Sequence, residues 1–282
     1  MLSAIITLSG IGLIASLLLG IAAKKFSVEV DPKVQEIENV LVGANCGACG
    51  YAGCSALAKA IVEGNASVTS CLPGGPDVAE KIGSIMGVKA QMQEKLIAKI
   101  FCQGGRNESK IKFNYIGVSE CRAASMLAMG NKQCVFGCLG YGSCINVCPF
   151  DAISMGPDGI PRISEEKCKA CGKCIEVCPH SVIRLIPTKS HVHVLCNSLD
   201  KAGEVKKSCT VGCIGCGLCK KVCPENAINV ENFLAKIDYA RCTECLKCVE
   251  KCPRKIIKSS SQSLVHSSPN NGNTFTSKCV HN

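Results

Sequence analysis

The chain has 282 residues, 19% of them charged, a formal net charge of +10 and 25 cysteines. A basic chain can suggest nucleic acid, but aromatic residues make up 4% and tryptophan is absent, so no platform for stacking bases is visible. No nucleophile–base pair and no flavin or nucleotide motif stands out, which leaves the cysteines to carry the chemistry.

Residues 2–23 contain no charged side chain and are almost wholly apolar. About 22 residues of helix span roughly 33 Å, enough to cross a bilayer. Lys24 and Lys25 follow at once and nothing basic precedes the run. A cleaved signal peptide has its basic residues first, so the pattern predicts a retained anchor with the bulk of the chain on the cytoplasmic side. Gly12, Ser16 and Gly20 form a small-residue stripe that suits a partner helix, although such residues are common in spanning helices. The segment 10–15 matches a loose dinucleotide fingerprint, but it follows no strand and is set aside.

Next comes a group of four cysteines, Cys46, Cys49, Cys54 and Cys71, the first three interleaved with glycine. Glycine permits close approach of backbone to a ligand, and a helix is expected over 55–63. Iron–sulfur and zinc both remain open for this group. Between 73 and 133 the pattern predicts a helix over 77–98, a strand over 111–116 and a helix over 121–128. Cys102 and Cys121 lie here without Cys-x-x-Cys partners; they are buried or spare thiols, or else help bind an extra centre.

Three later groups have the C-x2-C-x2-C-x3-C-P spacing or share its register. Cys168, Cys171, Cys174 and Cys178 precede Pro179; Cys213, Cys216, Cys219 and Cys223 precede Pro224; Cys242, Cys245, Cys248 and Cys252 precede Pro253. Three thiolates two residues apart wrap one face of a cubane, and the fourth is carried over to the neighbouring cluster. Zinc sites pair their cysteines as separated knuckles, which disfavours a zinc-binding interaction module. Such spacings also point to reduced thiolates in a reducing compartment rather than to a secreted disulfide scaffold.

The groups are duplicated. Cys134, Cys138, Cys144 and Cys148 each lie 75 positions before Cys209, Cys213, Cys219 and Cys223, and Cys168, Cys171, Cys174 and Cys178 lie 74 before Cys242, Cys245, Cys248 and Cys252. Two tandem ferredoxin-like modules follow, each expected as a pair of short β-hairpins with two clusters. The position equivalent to Cys216 is Tyr141. Cys134 is expected to replace the missing thiolate, giving one set of Cys134, Cys138, Cys144 and Cys178; otherwise that centre has three cysteines and lower nuclearity. The other sets are Cys148 with Cys168, Cys171 and Cys174; Cys252 with Cys213, Cys216 and Cys219; and Cys223 with Cys242, Cys245 and Cys248. Cys209 is then spare, and Cys196 and Cys279 fit no site.

An oxidised cubane on four thiolates carries about −2, so five of them contribute about −10 and bring the loaded chain near neutrality. The charge is unevenly spread: residues 201–258 hold twelve Lys and Arg against six Asp and Glu, and residues 134–178 hold four against five. Lys206, Lys207, Lys220, Lys221, Lys247 and Lys251 are therefore candidates for docking an acidic ferredoxin, the alternative being a solvated face that offsets cluster charge.

The α+β organisation is thus an anchor over 1–25, a small mainly helical four-cysteine domain over 26–90 and a connecting region over 91–130. Module 1 follows over 131–185, a linker over 186–207, module 2 over 208–258, and a Ser/Asn-rich tail, expected to be disordered, over 259–282. This order, with the segment Gly43-Ala-Asn-Cys-Gly-Ala-Cys-Gly-Tyr-Ala-Gly-Cys54, resembles the B subunit of the Rnf complex, the ion-translocating ferredoxin:NAD oxidoreductase of bacterial membranes. The two modules match its longer, clostridial-type form, and the resemblance covers about residues 1–258. It implies that Cys46, Cys49, Cys54 and Cys71 bind a 4Fe–4S cluster, making five [4Fe-4S] clusters in all. It also implies electron passage between reduced ferredoxin and other Rnf subunits at the inner (cytoplasmic) membrane, coupled to Na⁺ or H⁺ movement. A polyferredoxin subunit of another membrane hydrogenase or dehydrogenase is the alternative.

Overall fold

The computed structural model describes residues 2–25, 31–90 and 94–259. The tail beyond 259, including Cys279, lies outside the described residues. Helix α1 (Leu2–Lys25) ends on Lys24 and Lys25, as the charge pattern requires, and exposes Leu13, Leu17 and Leu19. Among the described residues no helix is long and apolar enough to cross a membrane.

The four-cysteine domain is three helices around one small core. Asp31 caps α2 (Pro32–Val40) by accepting from the Lys33 N–H at 2.9 Å, and Pro32 supplies a first-turn φ already suited to helix. Ile37 of α2 is fully buried against Leu57 and Ile61 of α3 (Cys54–Val62) and Ile82 of α4 (Gly75–Met86). Helix α3 agrees with expectation to within a residue. The expected helix over 77–98 does not run its length: Gly87, at φ +69°, ends α4 in a left-handed cap, and Leu96–Ile100 is a strand, β1. The β-branched Ile97 and Ile100 are buried there.

Each module contains one hairpin and one long-range strand pair, not two hairpins. In module 1 the hairpin is β2 (Ile153–Met155) with β3 (Pro161–Ile163), and β1 pairs antiparallel with β4 (Ile183–Pro187). In module 2 the hairpin is β6 (Ile228–Glu231) with β7 (Leu234–Ile237), and β5 (Val192–Val194) pairs with β8 (Ile257–Ser259). The segments expected as connector and linker therefore supply β1 and β5, the strands that close each module. Ser259 belongs to β8 and is buried, so the ordered module extends past the expected start of the tail.

Between β1 and module 1 the expected strand over 111–116 does not form; Ile111 makes a single bridge to Lys132, and Ile116 is exposed. An alternating pattern with no apolar surface to cover it has no reason to pair. Helix α5 (Cys121–Met126) does form. Short helices α6 (Ser143–Asn146), α7 (Lys173–Glu176), α9 (Leu218–Lys221) and α10 (Lys247–Lys251) follow the cysteine loops, and α8 (Ala202–Ser208) precedes module 2.

The modules are fixed to each other. The Asn197 amide donates to the His180 carbonyl at 3.0 Å and accepts from the Arg184 guanidinium. Thr210 N–H donates to Glu108 O at 2.8 Å and Lys110 N–H to Ser208 O at 2.9 Å. His193, buried in β5, lies edge-on to both Phe101 and Tyr239, and Arg184 stacks over Phe101 at 4.6 Å.

Candidate metal centres

Each cysteine loop of the modules carries two residues in the left-handed region, spaced two apart. They are Gly140 and Gly142, Ala170 and Gly172, Gly215 and Gly217, and Glu244 and Leu246, with φ between +53° and +83°. Such conformations turn successive N–H groups toward one side, a cradle for an anionic group. The loop containing Tyr141 keeps the same backbone although its middle cysteine is missing. In Gly215 the demand is steric as well: an added Cβ would lie 2.7 Å from the Phe233 carbonyl oxygen.

In module 1 helix α5 brings a fourth thiol to the loop that lacks its middle cysteine. A cavity of about 400 Å³ is lined by Cys121, Cys138, Cys144 and Cys178. The Cys121 N–H donates to Ser143 Oγ at 2.8 Å, which seats the first turn of α5 on the loop. Tyr141 is turned edge-on to Tyr115 from the same segment, 5.4 Å between ring centres. Burial, then Cys121 and Cys178, push the Cys144 thiol up to about 11. Cys134, expected to complete this set, lies beside Cys102 and Cys209; burial first, then these two thiols, push it up to about 11. Chain order misled here: Cys134 is nearer in sequence, but α5 folds back onto the loop.

The other quartets come together as their spacing requires. Cys174 is pushed up to about 12 by burial and by Cys168, Cys171, Cys144 and Cys148. In module 2, Cys219 reaches about 11 through burial, Cys213, Cys216 and Cys252, and these four line a cavity of about 350 Å³. Cys248 likewise reaches about 11 through burial, Cys242, Cys245 and Cys219, and a cavity of about 320 Å³ is lined by Cys223, Cys242, Cys245 and Cys248. Ala152 N–H donates to Cys148 Sγ at 3.4 Å and Ala227 N–H to Cys223 Sγ at 3.3 Å, the same bond in each repeat.

In the amino-terminal domain burial raises Cys71, with Cys54 and Cys46 adding to it. Asn45 Oδ1 accepts from the Cys54 N–H at 2.8 Å, and a Cβ on Gly53 would stand 2.8 Å from that oxygen, so Gly53 is needed for the loop to close. Cys46 is also near enough to Cys171 to raise it, which places the amino-terminal group beside module 1. The module thiols pushed up to about 11 or 12, Cys144, Cys174, Cys219 and Cys248, are neutral at ordinary pH, and only a bound cation would hold them as thiolates.

Comparison with known proteins agrees with this division. A family described as a putative Fe-S cluster matches residues 41–73, and 4Fe-4S dicluster domains match 132–182 and 212–257. The B subunit of the ion-translocating oxidoreductase complex of Methanosarcina acetivorans is 44% identical over 92% of this chain and 98% of its own. The B subunit of the Na(+)-translocating ferredoxin:NAD(+) oxidoreductase complex of Acetobacterium woodii is 46% identical over 91% of this chain and 78% of its own. Its counterpart in the proton-translocating ferredoxin:NAD(+) oxidoreductase complex of Clostridium ljungdahlii is 44% identical over 90% of each. The chain belongs to the family of Rnf B subunits. In this member of the Rnf family the matched segments contain every ferredoxin-type and amino-terminal cysteine group. Cys102, Cys121, Cys196 and Cys209 fall outside all three.

Proposed function

We propose that this chain relays electrons between reduced ferredoxin and the other subunits of a membrane complex that couples NAD reduction to Na⁺ or H⁺ translocation. The observation that carries this is the succession of cysteine quartets, which neighbour one another from the amino-terminal domain through module 1 and again within module 2. Cys46 neighbours Cys171, Cys174 neighbours Cys144, and Cys248 neighbours Cys219. Five [4Fe-4S] clusters on these thiols would supply reversible one-electron chemistry. The chain's part is to hold the thiolates, exclude water and aim N–H groups at sulfur, which together set the potential. The ligand sets are Cys46, Cys49, Cys54 and Cys71; Cys121, Cys138, Cys144 and Cys178; and Cys148, Cys168, Cys171 and Cys174. Module 2 contributes Cys213, Cys216, Cys219 and Cys252, and Cys223, Cys242, Cys245 and Cys248.

Helix α1 is the anchor in this account, with the cluster domains on the cytoplasmic side behind Lys24 and Lys25. The test is anaerobic: the tagged chain is extracted from native membranes in mild detergent, and the eluate is assayed for NAD reduction by reduced ferredoxin. Activity with flavin-containing partners is expected. A brown eluate that copurifies with a different dehydrogenase and leaves NAD untouched would assign the relay to another complex.

A further inference from the structure

One cavity belongs to neither module. It measures about 390 Å³ and is lined by four cysteines, Cys102, Cys134, Cys196 and Cys209, two from each half of the duplication. Counted in the same way, with its opening to solvent included, this space matches those of the module quartets, about 400, 350 and 320 Å³. All four cysteines are free thiols.

The four positions form equivalent pairs. Cys134 and Cys209 are 75 apart, and Cys102 and Cys196, each two residues past its closing strand β1 or β5, are 94 apart. The growth in offset from 75 to 94 reflects 19 additional residues between Cys102 and Cys134, the segment that brings in α5. Each half therefore contributes the same two thiols to one shared space. Both halves also make the same bond: Cys138 N–H donates to Cys102 Sγ, and Cys213 N–H donates to Cys196 Sγ, each at 3.3 Å. Sulfur accepts such bonds best as a ligated thiolate.

The lining is suited to an anionic, sulfur-rich occupant. Ser109 Oγ is buried, faces this cavity and has no hydrogen-bond partner among the described residues, an orphan hydroxyl that a thiolate or sulfide would satisfy. Lys132, also buried, donates to Gly104 O at 2.7 Å and is close enough to Cys209 and Cys138 to favour their ionised forms. A Cβ on Gly104 would lie 3.4 Å from Cys209 Sγ, and one on Gly137 3.5 Å from Cys134 Sγ, so glycine lets the backbone close on the sulfurs. Burial pushes Cys196 up to about 12 and Cys134 up to about 11, so these thiols stay protonated unless a cation binds. A single zinc would draw all four sulfurs to about 2.3 Å from one point. Among the described residues no three such side chains converge on a single ion.

We propose that Cys102, Cys134, Cys196 and Cys209 ligate a sixth 4Fe–4S cluster that joins the two modules. The site touches the inner quartet of each module through a backbone N–H, so it occupies the gap between Cys138 and Cys213 in the relay. Its role, though not its existence, rests on the relay function proposed above. Each transfer across it oxidises one donor and reduces one acceptor by a single electron, with reduced ferredoxin as the source.

The full-length chain, purified anaerobically with its clusters, is assayed for iron, acid-labile sulfide and zinc, and its reduced state is quantified by EPR. Six cubanes correspond to about 24 irons per chain. Cys102→Ala/Cys196→Ala is expected to lose about four irons and one cluster's spin, with the spectra of the other clusters retained. About 20 irons in the unsubstituted chain, or one zinc per chain beside them, would overturn the proposal whether or not the variant folds. So would a variant identical in iron and EPR. About 20 irons with intact ferredoxin-linked activity would remove the bridge and leave the relay standing; a chain without iron would remove both.

Discussion

At the residue scale, the proposed ligand set makes Cys121 the compensation for Tyr141. The loop around Tyr141 retains the left-handed residues Gly140 and Gly142, so its backbone is ready for a cluster even though the middle thiol is gone. Cys121 reaches the same cavity from α5. Cys121→Ala should therefore remove or convert one module 1 cluster, seen as a loss of up to about four irons and an altered EPR spectrum. Tyr141→Cys restores the regular spacing, so the double variant Cys121→Ala/Tyr141→Cys should regain the lost iron. Cys121→Ala with full iron content, or no recovery in the double variant, would contradict this exchange of ligands.

At the element scale, the parts readable from sequence were those with local causes. Cysteine spacing and the α3 boundaries arise within a few residues, and the 75- and 74-residue offsets show one such local pattern repeated. Strands β1 and β5 were not readable, because each pairs with a strand far along the chain: Ile100 with Ile183, Val194 with Ile257. Short apolar segments carry no label for a distant partner. For the same reason Cys102 and Cys196 looked unpartnered: the insertion between Cys102 and Cys134 hid their equivalence, although the common offset of Ile100 to Val194 and Cys102 to Cys196 was a usable signal. Strand β5 also brings His193 between Phe101 and Tyr239. Burial first, then the Lys99 and His191 charges, lower its pKa from 6.5 to about 4, and its Nδ1 is 3.0 Å from the Tyr239 hydroxyl. The fold thus binds neutral His193, while the unfolded chain takes up a proton below about 6.5. The stabilisation is complete above that pH and is lost as pH falls toward 4, the loss reaching about 2 kcal/mol at about pH 5. Thermal unfolding of the wild type and His193→Gln should run parallel above pH ~7 and converge or cross toward pH ~5. Parallel curves throughout would mean that His193 does not titrate on unfolding.

At the scale of the whole molecule, charge and cluster exposure coincide at one end. Cys216 and Cys245 are the exposed cysteines of the described residues, and both belong to module 2. Around them Lys220, Lys221, Lys247 and Lys251 are exposed on α9 and α10, and among the described residues none of these forms a salt bridge. Lys207 is less available, since it pairs with Glu204 at 2.9 Å. The equivalent positions in module 1, 75 or 74 residues earlier, are Ile145, Asn146, Lys173 and Val177, so the duplicated fold has become basic on one copy only. Neutralising cluster charge would not require that asymmetry, because both modules bind the same number of ferredoxin-type quartets. An acidic electron donor approaching module 2 would be steered to the end where thiol ligands are nearest the solvent, and steering of this kind weakens as salt shortens the Debye length. Lys220→Glu/Lys221→Glu should slow reduction by ferredoxin about tenfold at low ionic strength, with the difference shrinking near 0.5 M salt and iron content unchanged. Stopped-flow reduction across a salt series separates the outcomes. Equal rates at low salt would place ferredoxin entry elsewhere, with the amino-terminal quartet beside Cys171 as the next surface to reverse.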